Sequence, residues 1–393
     1  MLEDFEDIRP YEDNEVQTVV ARLLRDREFL NMIGRFRAPR LQNLAPGLTR
    51  TVVRLMLSTR FQSSRSVRGL QERIVPYMAR AVRNTTDGVT FSGLENLPTD
   101  RACLFLSNHR DIVFDPAIVN YGLWQRGLDT TRIAIGDNLT AEPRVADLMR
   151  LNKSFIVKRN LSNPREMRDV YLQLSRFINR SIRDNHSIWL AQREGRAKDG
   201  IDRTDPAIIK MLAMAPKREG EAFADTVKRL NIVPVAISYE YDPCDIRKAR
   251  ELAARARGET VAKGRTDDME SIIAGLVGYK GRVHVAFGEP IAGEFDNPRE
   301  VAPAVDQQII ELYRLFPISK LAYDLYRGRF PDPALAPVSE ELDWGNTAPA
   351  ERTLQARLET CDPILQPYLL AMYANPLLRK YLGDEWALEP PAV

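Results

Sequence analysis

Ala102-Cys103-Leu104-Phe105-Leu106-Ser107-Asn108-His109-Arg110, running on through Asp111 to Asp115-Pro116, sets a short apolar run directly ahead of one histidine and two carboxylates. Ala102 to Leu106 reads as a buried strand, since no polar side chain interrupts it. Asp115 followed by Pro116 reads as a helix N-cap and first helical residue: the aspartate accepts from amides the helix leaves unpaired, and proline has no amide to waste there. His109 then falls in a strand-to-helix loop near the positive end of the helix, where a neutral imidazole is favoured and can accept a proton. Asp115 is the candidate to orient that ring, with Asp111 as the competitor.

Outward from this stretch, apolar runs recur at Val89 to Ser92, Arg132 to Ile135, Ser154 to Lys158, Ser187 to Ala191, Ile232 to Glu240 and Arg282 to Phe287. Helical patterns lie between several of them. After Pro164, for example, Met167, Val170, Tyr171, Leu174, Phe177, Ile178 and Ile182 form one amphipathic stripe that should dock on a sheet. Such alternation predicts an α/β fold. Asp199 to Asp205 reads as a polar loop over the site.

The flanks read as helical. Asn14 to Ile33, Pro46 to Phe61 and Ser66 to Arg83 precede the alternating region. Pro298 to Tyr313 and Ile318 to Tyr326 follow it, and a proline-rich link at 331–337 leads to two closing helices. The last, Ile364 to Leu382, carries Leu365, Tyr368, Leu369, Met372 and Tyr373, a set suited to touching lipid or to capping the core.

Between Arg35 and Arg83 stand eleven arginines against the single acid Glu72, a net charge of +10 in a chain whose total is only +2. In the helix over 46–61, Leu48, Val52, Leu55, Met56 and Thr59 share one face, with Arg50, Arg54 and Arg60 elsewhere. That pattern serves equally for resting on anionic lipid and for packing on the next domain. Nucleic acid is not expected as a partner, because Phe36 and Phe61 are the only aromatics among those arginines before Tyr77 and no nucleic-acid motif occurs. No run reaches the roughly 18 uncharged apolar residues that span a bilayer, and the acidic start Met1-Leu2-Glu3-Asp4 is unlike a signal peptide, so a cytoplasmic location, peripheral on the inner face of the membrane, is expected. Cys103, Cys244 and Cys361, with His109, His186 and His284, show no metal-ligand spacing, so no metal site is expected.

Four stretches, taken in order, resemble the motifs of the phospholipid and glycerol acyltransferase superfamily. Asn108-His109 with Asp115-Pro116 is similar to the first, with one residue inserted before the aspartate. Lys153-Ser154-Phe155-Ile156-Val157-Lys158-Arg159 is similar to the second, with Arg159 in the arginine place and Lys153 where glycine is usual. Glu194-Gly195-Arg196 is similar to the third, one residue short, so that Arg196 or Lys198 takes the basic role. Ile232-Val233-Pro234-Val235-Ala236-Ile237 is similar to the fourth, a strand broken by proline. The likeness covers residues 88 to 292, and its specificity lies in the order. Tyr239-Glu240 and Phe287-Gly288-Glu289-Pro290 are closer to the glycerol-3-phosphate branch than to the lysophosphatidate branch.

The resemblance implies an acyltransferase-like mixed sheet flanked by helices over residues 85–295, with added helical segments at 1–84 and 296–393. It implies that His109, oriented by Asp115, takes the proton from an acceptor hydroxyl as it attacks an acyl thioester, acyl-CoA or acyl carrier protein, with no further cofactor. Arg159 and Arg196 or Lys198 would grip the phosphate of glycerol-3-phosphate or a lysolipid, Glu194 and Gly195 would shape the loop, and Pro234 would border the acyl chain. Two other functions share this pattern: an acyl-thioester hydrolase, although no Gly-x-Ser-x-Gly elbow occurs, and a non-catalytic lipid-binding protein.

Overall fold

The computed structural model describes residues 5–159, 161, 163–215, 221–259, 267–331, 335 and 344–390. Residues 1–4 of the acidic start, which runs to Asp7, and most of the link at 331–337 lie outside them. All seven strands read from the sequence are present: β1 (Val89–Ser92), β2 (Leu104–Ser107), β3 (Arg132–Gly136), β4 (Ser154–Val157), β5 (Ile188–Ala191), β6 (Ile232–Tyr239) and β7 (Val283–Phe287). Contacts group residues 81–130 with 178–393, and residues 1–80 with 131–177.

In the larger unit the strand order is β1-β7-β6-β2-β5. β1 runs parallel to β7, and β2 parallel to both β5 and β6, while β6 and β7 are antiparallel, so the sheet is mixed. The buried pattern of β2, β6 and β7 is continuous rather than alternating, as expected of strands covered on both faces. Pro234 sits in β6 in register with Leu106, and its carbonyl accepts from Gly288 N at 2.8 Å. Antiparallel pairing with β7 begins at the next residue, Val235, so the missing proline amide falls just outside that ladder. The expected border of an acyl chain is thus a buried position inside the sheet.

Helices Asp245–Ala256, Pro317–Arg329, Ala348–Thr360 and Gln366–Leu382 build a second core around Tyr323, Leu354, Leu369, Leu370 and Leu377. Leu365, Tyr368, Leu369, Met372 and Tyr373 are all buried in it. Of the two uses the sequence left open for this stripe, the structure shows the core and not the lipid contact.

In the smaller unit β3 and β4 pair in parallel, and a helical cluster is built on Val16, Val19, Val20, Leu23, Leu30, Val53, Leu70 and Leu151. The single helix expected over 14–33 is two, Asp13–Arg25 and Arg27–Arg37. Asp26 breaks it: its backbone is extended, and its carboxylate accepts from Phe29 N at 2.8 Å and Arg144 Nε at 2.9 Å. Pro46–Phe61 forms as expected, but it packs through Thr49 and Val53, leaving Leu48, Val52 and Leu55 exposed. No helix among the described residues is long and apolar enough to cross a membrane.

Candidate active site

The chain leaves β2 at Ser107 and enters the helix Phe114–Gln125 through a loop in which Asn108, Arg110 and Asp111 are buried and His109 is partly exposed. The helix begins one residue before Asp115, so Asp115 is not its N-cap as expected. Asp111 does that work: its Oδ1 accepts from Val113 N at 3.0 Å and Phe114 N at 2.7 Å. Asp115, in the first turn, is thereby free to face back across the loop.

The Asp115 carboxylate, fully buried, accepts from four groups. Its Oδ2 lies 2.8 Å from His109 Nδ1, 2.6 Å from Arg110 N and 2.9 Å from Asp111 N, and its Oδ1 accepts from Tyr239 Oη at 2.6 Å. A carboxylate so surrounded cannot rotate away from the imidazole. Because it only accepts, the proton between them belongs on Nδ1, and Nε2 keeps its lone pair. Among the described residues nothing hydrogen-bonds Nε2, and the side chain of His109 is 14% exposed. The edge of the Trp189 system, 5.5 Å away and at 72°, fixes the plane of the ring. Geometry therefore selects Asp115 over Asp111 as the partner. Asp115→Asn is expected to lower kcat on the order of 10³- to 10⁴-fold, because an amide can offer its nitrogen to Nδ1 and stabilise the wrong tautomer. Asp111→Asn keeps an acceptor for Val113 and Phe114 and should lose little; steady-state assays of the pair in parallel check the order.

Around the dyad the backbone is tied down by groups the sequence did not flag. Asn108 Oδ1 accepts from Ile237 N at 2.7 Å, and its Nδ2 donates to Ile237 O at 3.0 Å and to Asp202 Oδ2 at 3.2 Å, clipping the end of β2 to β6. Arg110 Nη2 donates to Asp202 Oδ2 at 2.6 Å, both side chains being buried. Lys248 Nζ donates to Arg110 O at 2.8 Å and pairs with Asp242. Beneath the same turn Lys280 Nζ lies 4.3 Å from the centre of the Phe114 ring and donates to Gly278 O at 2.8 Å. Burial pushes the Lys280 ammonium down from 10.5 to about 8, against the pull of Asp111, Asp242 and Cys244. Between those values the unfolded chain holds a proton that the folded one has shed, so this group adds stability as pH rises from 8 toward 10.5. Denaturation midpoints at pH 7.5, 8.5 and 9.5 should show that rise diminished in Lys280→Met.

The third-motif turn is joined to the histidine itself, since Ala197 N donates to His109 O at 2.8 Å. Gly195, with φ +76°, supplies the left-handed turn, and Glu194 is exposed on it. Lys198 is paired with Glu251. Among the described residues no hydrogen bond or ion pair engages the half-buried Arg196, so of the two candidate cations it is Arg196 that has a guanidinium to spare. Arg159 lies in the smaller unit at the end of β4. Its backbone N donates to Asp137 Oδ2 at 3.2 Å and its Nη1 to Asn138 Oδ1 at 3.4 Å, and its guanidinium covers Gly136 so closely that a Cβ there would lie 2.5 Å from Nε.

The loop after the turn is no open flap. Asp199 O accepts from Asn375 Nδ2 at 2.7 Å, Asp202 O accepts from Arg379, and Thr204 donates to Asp306 through both its amide and its hydroxyl. Gly200, at φ +79°, passes under Met372 so tightly that a Cβ would come within 2.2 Å of the Met372 carbonyl oxygen. Ser107 is buried and donates to Asn108 O, not to His109. Among the described residues no cluster of His, Cys, Asp or Glu is arranged to hold a metal ion.

The acyltransferase family model matches residues 88–238, a span that holds His109, Asp115, Arg159, Arg196 and Pro234. In structure the chain is similar to the 1-acyl-sn-glycerophosphate (LPA) acyltransferase PlsC from Thermotoga maritima, at 16% identity and a TM-score of 0.38, over 73% of this chain and 98% of that one. No curated protein matches it in sequence. The match to the acyltransferase family thus spans the segment from Gly88 to Ser238.

Proposed function

We propose that the domain transfers a fatty acyl group from a thioester, of coenzyme A or of acyl carrier protein, to a hydroxyl of glycerol-3-phosphate or lysophosphatidate in phospholipid synthesis. The observation that carries this is the unpartnered Nε2 of an imidazole whose other nitrogen is held by a fourfold-anchored carboxylate, with no serine in hydrogen-bonding reach of it among the described residues.

In this reading Nε2 takes the proton of the acceptor hydroxyl as its oxygen adds to the thioester carbonyl carbon. The tetrahedral adduct then collapses with cleavage of the C–S bond, and the imidazolium returns the proton to the departing thiolate. Asp115 stabilises the imidazolium in between, and no acyl-enzyme forms. Arg196, on the turn bonded to the histidine's own carbonyl, holds the acceptor's phosphate and so brings the hydroxyl to Nε2. Arg159, the second-motif cation, is proposed to bind phosphate as well.

The test is the purified chain with a labelled acyl thioester and a panel of hydroxyl acceptors, read by lipid mass spectrometry. Ester formed only with a phosphorylated glycerol acceptor supports the proposal, and free fatty acid formed equally without acceptor makes the protein a thioesterase instead. Arg196→Ala should raise the acceptor's KM about 10- to 100-fold, the worth of a charge-assisted bond, with a smaller change in kcat and none in the donor's KM.

A further inference from the structure

Within residues 36 to 55 of the smaller unit six large apolar side chains face solvent: Phe36, Leu41, Leu44, Leu48, Val52 and Leu55. Leu44 is 85% exposed, Leu55 65%, Leu48 58% and Val52 52%. The last three follow one another at helical spacing on Pro46–Phe61, and the face that packs inward, through Thr49 and Val53, lies about a third of a turn round from them. Single exposed leucines need no explanation, but a row of them does. The row is set among the eleven arginines of residues 35–83. Arg35, Arg37, Arg40, Arg54, Arg60, Arg65 and Arg68 are exposed, and among the described residues only Arg68 is ion-paired to a carboxylate, Glu72.

We propose that this face is a docking surface for a bilayer rich in anionic lipid. Leu44, Leu48, Val52 and Leu55 enter the boundary between headgroups and acyl chains, and the surrounding guanidiniums meet lipid phosphates. Charge decides the occupant: a second copy of the chain would bring two surfaces of net +10 together, whereas an anionic bilayer supplies both the apolar layer and the opposite charge. As the membrane partner of the acyltransferase proposed above, this surface rests on that reading for its purpose; binding is measured without turnover, so the two fail separately.

The experiment is flotation of the full chain with vesicles of phosphatidylcholine alone and of phosphatidylcholine mixed equally with phosphatidylglycerol. Binding to the anionic vesicles should be at least about tenfold tighter, and should weaken in molar salt as the charges are screened. A triple variant, Leu48→Ser with Val52→Ser and Leu55→Ser, removes apolar surface without touching the packed face and should lose tenfold or more in binding. A second, Arg35→Gln with Arg40→Gln and Arg54→Gln, should lose the preference for anionic vesicles, and circular dichroism melts confirm that both remain folded. No binding to anionic vesicles, or equal binding by the leucine variant and the wild type, overturns the proposal. So does dimerisation that the leucine variant abolishes in the absence of vesicle binding.

Discussion

His109→Ala is expected to lower kcat on the order of 10³-fold or more while the melting temperature moves by a few degrees. Both halves follow from the surroundings of the ring. General-base catalysis contributes about 10²- to 10⁴-fold, and no other side chain among the described residues is placed to replace Nε2. What the fold loses is one hydrogen bond to Asp115 and one edge contact with Trp189, together about 2–4 kcal/mol. Asp115 keeps Arg110 N, Asp111 N and Tyr239 Oη as donors, so its charge is not left unsatisfied. The acceptor's KM should change little, because the ring acts on the hydroxyl's proton and Arg196 is the group assigned to the phosphate. Turnover of the purified variant at the wild-type rate would remove the histidine from the mechanism altogether.

The strands were legible because a buried strand has to be mostly apolar, and the central ones are: β2, β6 and β7 have no exposed residue. Histidine and aspartate could be paired from their place at a strand end ahead of an Asp-Pro step. Their detailed roles in the turn could not, because a carboxylate near a helix start can serve either amides or an imidazole. Here Asp111 takes the amides and Asp115 the ring. Tyr239 was quoted as a motif neighbour, yet its bond to Asp115 spans 124 positions and leaves no local trace. The same holds for Asp202, in what reads from the sequence as a polar loop over the site; only its contacts with Asn108, Arg110 and Arg379 reveal a buried anchor. The break at Asp26 is the opposite case, a local one: an aspartate three residues before Phe29 is a capping signal, hidden by apolar periodicity that continues on either side. On the helix over 46–61 periodicity correctly grouped Leu48, Val52 and Leu55, but a stripe does not say whether it faces inward, and the buried face proved to be the narrower one of Thr49 and Val53.

Asp202→Asn is expected to be the most destabilising conservative change near the site, costing about 3–5 kcal/mol and lowering the denaturation midpoint accordingly. The Asp202 side chain is 6% exposed and its partner Arg110 7%, so neither can turn to water when the other is removed. Burial pushes the Asp202 carboxyl upward while Arg110 and Asn108 pull it back. Burial likewise disfavours the Arg110 charge, but the neighbouring acids, Asp202 first, hold it above its ordinary value. An amide at 202 still reaches Arg110 but offers no charge, leaving a buried guanidinium without its nearest counter-charge. The cost should also appear in activity, since Arg110 N is one of the donors that fixes Asp115 and Asp202 bonds to Asn108, the residue next to the histidine. A double-mutant cycle separates this from a plain loss of packing. Arg110→Met combined with Asp202→Leu removes both charges together and should be less destabilised than the sum of the two single changes by more than about 1 kcal/mol. Strict additivity would mean that the pair merely fills space, and that Asn108, Asp111, Asp115 and Lys248 hold the loop carrying His109 without it.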